Sequence, residues 1–108
     1  MSSRYTHRSW KSFDVGEWLD GVWHEPPRRV ETKKGRGHYY LGVVRQLDGS
    51  LVGITLPSKL ERLLLDLAVG SGVRITYLGE IDIGFPYPVM NFDVITWPPV
   101  ERQKEQSA

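Results

Sequence analysis

Five stretches of the chain alternate apolar and polar residues with the period of a strand: Phe13–His24, His38–Gln46, Leu51–Leu56, Val73–Glu80 and Val89–Trp97. Each is rich in β-branched or aromatic side chains and bounded by Gly, Pro or Asp. Leu47-Asp48-Gly49-Ser50 joins the second stretch to the third. Asp-Gly between two apolar alternations predicts a hairpin, because the turn needs a positive φ. One segment has the helical period instead. Leu60, Leu63, Leu64 and Leu67 recur at i, i+3, i+4 and i+7, with Leu65 widening the apolar face. Pro57 blocks strand continuation, and Ser58 and Glu61 have capping-box spacing. Arg62 and Asp66 sit at i, i+4, and Gly70 and Gly72 can stop the helix.

Alternation also sorts side chains by face. Tyr39, Leu41 and Val43 share a parity that reads as core, which turns Tyr40 outward beside Gly42. Leu19, Gly21 and Trp23 share another, placing Trp23 inside and Trp18 outside. Val73, Ile75 and Tyr77 read as internal with Arg74 and Thr76 pointing away; Met90, Phe92 and Val94 read as internal.

Three strands, a helix and two more strands predict an all-β fold: a small β-barrel with one helix, in the order of a five-stranded OB barrel. An SH3-like barrel and an open α+β sheet compete with it. Residues 1–12 are expected to form a flexible N-terminal arm, residues 13–100 a single OB-fold domain, and residues 101–108 a short disordered tail. At 12.4 kDa there is room for one domain. Cysteine is absent, which excludes disulfides, Cys-ligated zinc and a thiol nucleophile. Apolar runs are far short of the roughly 20 residues that span a bilayer, and no leader pattern opens the chain. The expectation is a cytoplasmic protein with no membrane partner.

Net charge is +1 but unevenly spread: residues 1–56 carry +3 and residues 57–108 carry −2. Arg28, Arg29, Lys33, Lys34 and Arg36 cluster between His24 and His38, opposed only by Glu25 and Glu31. Such a segment on a near-neutral domain points to an anionic partner at one place, the bland alternative being a solubilising loop. Catalysis is not expected. The three histidines are dispersed, no metal-ligand spacing appears, and no cofactor or metal is implied.

The leucine helix, Gly72-Val73-Arg74-Ile75-Thr76-Tyr77-Leu78-Gly79 and Phe92-Asp93-Val94 together resemble phage-type single-stranded DNA-binding proteins with an OB fold. Gly16, Leu19, Asp20 and Gly21 fit the first strand of that pattern loosely, and the resemblance spans roughly residues 13–97. It departs at the tail: Glu101–Ala108 is short and lacks the acidic tip with which bacterial single-strand binding proteins recruit partners. The resemblance implies a viral, non-enzymatic protein acting on single-stranded DNA in replication or recombination, in the host cytoplasm.

Single-strand binding needs cations that track phosphates and rings on which bases stack. For stacking the candidates are Trp18, Tyr40, Phe85 and Tyr87, the last two in the Pro-rich stretch Ile83–Pro88. For phosphates they are Arg28, Arg29, Lys33, Lys34, Arg36 and Arg74. In an OB fold the loops after the first and fourth strands flank the ligand groove, so the basic segment and the aromatic loop are expected to converge. RNA is the alternative ligand, since stacking and phosphate contacts do not read the sugar. A protein–protein interaction or homo-oligomerisation module is the alternative of another class.

Overall fold

The computed structural model describes residues 5–32, 37–82, 84 and 89–99. Among these, seven strands and one α-helix follow in the order β1 (Thr6–His7), β2 (Trp18–Trp23), β3 (Arg28–Glu31), β4 (His38–Arg45), β5 (Leu51–Leu56), α1 (Ser58–Leu64), β6 (Gly72–Ile81) and β7 (Val89–Trp97). All strands join one sheet, ordered β1-β5-β4-β2-β6-β7, with β3 alongside β4. The fold is mostly β with a single helix, as the pattern of apolar positions predicts.

β2 and β3 lie in succession against the same edge of β4. Trp23 pairs with Val44, the His24 N–H donates to the Val43 carbonyl (2.9 Å), and β3 then pairs from Arg28–Leu41 to Glu31–His38. Residues 18–31 therefore behave as one long strand interrupted near Pro26-Pro27, which have no N–H to give a ladder. The basic segment expected as a loop is in large part a two-stranded ribbon. Its far end is closed by Thr32 N–H donating to the Gly37 carbonyl at 3.0 Å. The Asp-Gly hairpin forms as expected: Gly49 has φ +90° and the Gln46 N–H donates to the Ser50 carbonyl (2.8 Å).

The inward face of β4 is the opposite of the one its sequence suggests. Tyr40, Gly42 and Val44 pair with Leu56, Ile54 and Val52, and this row faces the main core. Trp23 decides the parity. Its indole is fully buried, and a Cβ on Gly42 would stand 2.5 Å from the ring's Cη2. The missing side chain makes room for Trp23 and not for a ligand. Leu41 and Val43 are buried all the same, on the other face. There Val43 pairs with Gly53, whose bare Cα is covered by the Tyr5 ring.

The sheet is not closed into a barrel by strand pairing: among the described residues no ladder joins β5 or β1 to β7. The N-terminal segment, expected to be a flexible arm, occupies that gap. β1 pairs with β5 in parallel, and Arg8 N–H donates to the Gly53 carbonyl at 2.9 Å. A single 3-10 turn over Trp10–Ser12 then sets Trp10, only 2% exposed, between the two sheet ends. Its Nε1 donates to the Thr55 carbonyl of β5 (2.8 Å), and its ring meets Phe92 of β7 edge-on at 4.7 Å. Phe13 packs on the same ring, and Arg8 lies over Phe13 while pairing with Glu17 at 2.6 Å. Burying two large aromatic side chains contributes several kcal/mol, at about 1.5–3 kcal/mol for a large apolar side chain, and that holds the segment down.

α1 is shorter than its leucine pattern, ending at Leu64. Leu60 and Leu64 are fully buried, Leu67 packs on the core from beyond the helix, and Leu63 is 49% exposed. The expected capping box is absent. Pro57 is the N-cap, Ser58 is already helical, and Glu61 N–H bonds back to the Pro57 carbonyl at 2.8 Å. On β6 and β7 the expected parity holds: Val73, Ile75, Tyr77 and Phe92 are buried, and Met90 and Val94 pack against them.

Candidate functional site

The candidate residues fall into two groups. The first is the β3–β4 ribbon. Register pairs place Arg28, Val30, Tyr39 and Leu41 on one face and Arg29, Glu31, His38 and Tyr40 on the other. Arg29 and Tyr40 are direct cross-strand partners, so two predicted ligand residues do meet. Tyr40 is half-buried against the core, with His38 edge-on to it at 5.4 Å. Arg29 forms an exposed pair with Glu31 (3.0 Å), and Arg28 a looser one with Glu25 (3.5 Å). Exposed pairs of this kind contribute at most about 1 kcal/mol, so both guanidinium groups are cheaply released to another anion. Tyr39, expected in the core, is 41% exposed on the Arg28 face. It is a ring that parity reasoning missed; the signal that could have found it is the volume of Trp23, which requires the glycine of β4 to face inward.

Lys33, Lys34 and Arg36 lie outside the described residues, as do Phe85 and Tyr87. Thr32 and Gly37, the described residues on either side of 33–36, are bonded to each other at the end of the ribbon.

The second group lies on the outward face of β2, β6 and β7. Trp18 is 54% exposed, as its parity predicts, and the Arg74 guanidinium sits 4.8 Å from its ring centroid. Asp20 holds Arg74 from the neighbouring position at 3.1 Å. Arg74 pairs with Ile95, and Gly72, two residues earlier, pairs with Trp97. Ile95 and Trp97 are 45% and 47% exposed. The Trp97 ring lies over Gly72, so that a Cβ there would be 3.0 Å from its Cε3. Trp97 is thus a second open indole on the face of Trp18 and Arg74, and sequence parity alone does not separate it from an ordinary strand end.

Between the two hairpins stands the start of α1. Tyr40 pairs with Leu56 at the foot of the ribbon, and three residues on the Lys59 Nζ donates to Asn91 Oδ1 (3.0 Å) on β7. The foot of the β3–β4 ribbon and the β6–β7 hairpin thereby flank the first turn of α1. A surface hollow of about 460 Å³ lies elsewhere, lined by Tyr5, Thr6, Gly49, Ser50 and Leu51, with no charged side chain among them. Among the described residues, no group of three or more His, Asp or Glu side chains is placed to hold a metal, and no helix is long and apolar enough to cross a membrane. Compared with known proteins, the chain matches no family model, no curated protein and no solved structure.

Proposed function

We propose that this chain is a non-catalytic, sequence-nonspecific single-stranded DNA-binding protein of the OB type, acting in replication or recombination, with the cationic ribbon gripping phosphates. The observation that carries the reading is the ribbon itself. Arg28 and Arg29 stand on its two faces, Tyr39 is exposed on one of them, and the sequence between Thr32 and Gly37 adds Lys33, Lys34 and Arg36. Two exposed arginines in weak surface pairs can fork onto phosphate or stack on bases. The OB type is supported by the path β5-β4-β2-β6-β7 with a helix after β5, and by Trp10 bridging the two sheet ends where such a barrel closes.

The test is titration with oligo-dT at several salt concentrations. With three to five phosphates neutralised, log affinity falls against log salt with a slope of roughly −2 to −3.5, at about 0.7 per phosphate. Arg28→Ala is expected to reduce that slope by about 0.7. No binding at low salt rejects the reading. Matched RNA oligomers decide the sugar preference. A second reading, a homo-oligomerisation or protein–protein module, is favoured by the exposed Trp18, Ile95 and Trp97; a mass that grows with protein concentration supports it.

A further inference from the structure

We infer that the outward face of β2, β6 and β7 is a stacking surface for unpaired bases, with Trp97, Arg74 and Trp18 as its flat elements. The inference rests on the nucleic-acid reading and adds a second contact region to it. The four tryptophans divide cleanly: Trp10 and Trp23 are 2% and 0% exposed, Trp18 and Trp97 about half. Both open indoles are on one sheet face. Trp97 lies over Gly72, which has no side chain to lift the ring, and the residue stays 47% exposed. Trp18 lies opposite Thr76 and Trp97 opposite Gly72. Four residues along β6 offset them by about 13 Å along the strands, and two strand spacings add roughly 10 Å across the sheet. Arg74 lies in the row between them, its guanidinium held over Trp18 by Asp20. Guanidinium planes stack on bases as rings do.

Charge separates the work of the two regions. The segment between His24 and His38 carries five Lys/Arg against two Glu, whereas on this face Arg74 stands beside Asp20, with Asp93 opposite Thr76. A ring-bearing surface with one cation against two carboxylates favours base faces over phosphates. Arg45, at the end of β4 away from the ribbon, pairs with Val22 of β2, which pairs with Gly72 beneath Trp97. On the equivalent face of β4 and β5 Tyr5 lies over Gly53 beside Val43, so both open indoles are on the other half of the sheet.

The experiment is oligo-dT binding to the full chain, followed by anisotropy of a labelled oligonucleotide and by tryptophan emission. Trp97→Ala and Trp18→Ala are each expected to weaken binding roughly 5- to 150-fold, with the salt slope unchanged because no phosphate contact is lost. Trp97→Phe, which keeps a ring over Gly72, is expected to retain most of the affinity and guards against a folding artefact. Emission quenching should disappear in the double variant, which leaves only the buried tryptophans. Wild-type affinity in the double variant overturns the inference while leaving the ribbon reading standing. So does a wild-type mass of two chains that falls to one in either alanine variant, which assigns the face to a second copy. Failure of the unaltered protein to bind oligo-dT at all removes both readings.

Discussion

The same sheet presents two kinds of surface, and the N-terminal segment makes the difference. At the β5 end, β1, Arg8 and Trp10 take up the edge groups of Gly53 and Thr55, and Tyr5 covers the adjoining face. On β2, β6 and β7, Trp18, Ile95 and Trp97 stay about half exposed, with the Arg74 guanidinium against the Trp18 ring. One set of aromatics stabilises the molecule; the other is left in water at a cost that a ligand or partner can remove. An exposed sheet edge invites association, and this chain seals one end with its own residues.

The contrast is broken most severely at Trp10. Trp10→Ala removes the wedge between β5 and β7 and is expected to cost about 3–5 kcal/mol in denaturant unfolding, whereas loss of Trp97 should leave stability within about 1 kcal/mol of the original. Equal losses at both sites remove the distinction between structural and open aromatics. Next in size is Gly42→Ala. The added methyl pushes on the buried Trp23 ring, which has backbone on one side and core on the other, and overpacking of this kind costs roughly 1–3 kcal/mol. An unchanged melting temperature would show that the ring has room to give.

The smallest expected effect is a pH dependence at the sealed end. The Arg8 guanidinium bonded to Glu17, followed by the Asp14 N–H, holds the Glu17 carboxyl below its ordinary value of 4.5. A carboxylate with a depressed folded pKa contributes stability that is present above its unfolded value and is lost as pH falls through the folded one. Thermal melts from about pH 6 down to 3 should show wild type and Glu17→Gln converging on the acid side. A gap that stays constant with pH detaches the Arg8–Glu17 pair from the anchoring of this segment.

Much of this architecture is legible in the sequence because it rests on local signals. Val89–Trp97 and Leu51–Leu56 have their bounds set by period and by flanking Pro and Gly, and Asp48-Gly49 specifies its own turn. What is not legible depends on distant partners. β4 is apolar on both faces, so period alone cannot say whether Tyr39 or Tyr40 turns inward; the answer lies in Trp23, a neighbour only after folding. Residues 5–13 show no strand or helix period, yet Trp10 and Phe13 three residues apart mark a buried turn. Of the candidate site, the Arg74–Trp18 and Arg29–Tyr40 proximities follow from cross-strand register, which no single strand's pattern contains.

The wedge at Trp10 also has a consequence for how the chain is made. Its ring comes to rest on Phe92, 82 positions later, so the wedge can close only after β7 has been made. Contacts of such large sequence separation slow folding, because the intervening chain must be gathered first. Until β7 docks, the Trp10 ring lacks its partner and both margins of the sheet stand unsealed.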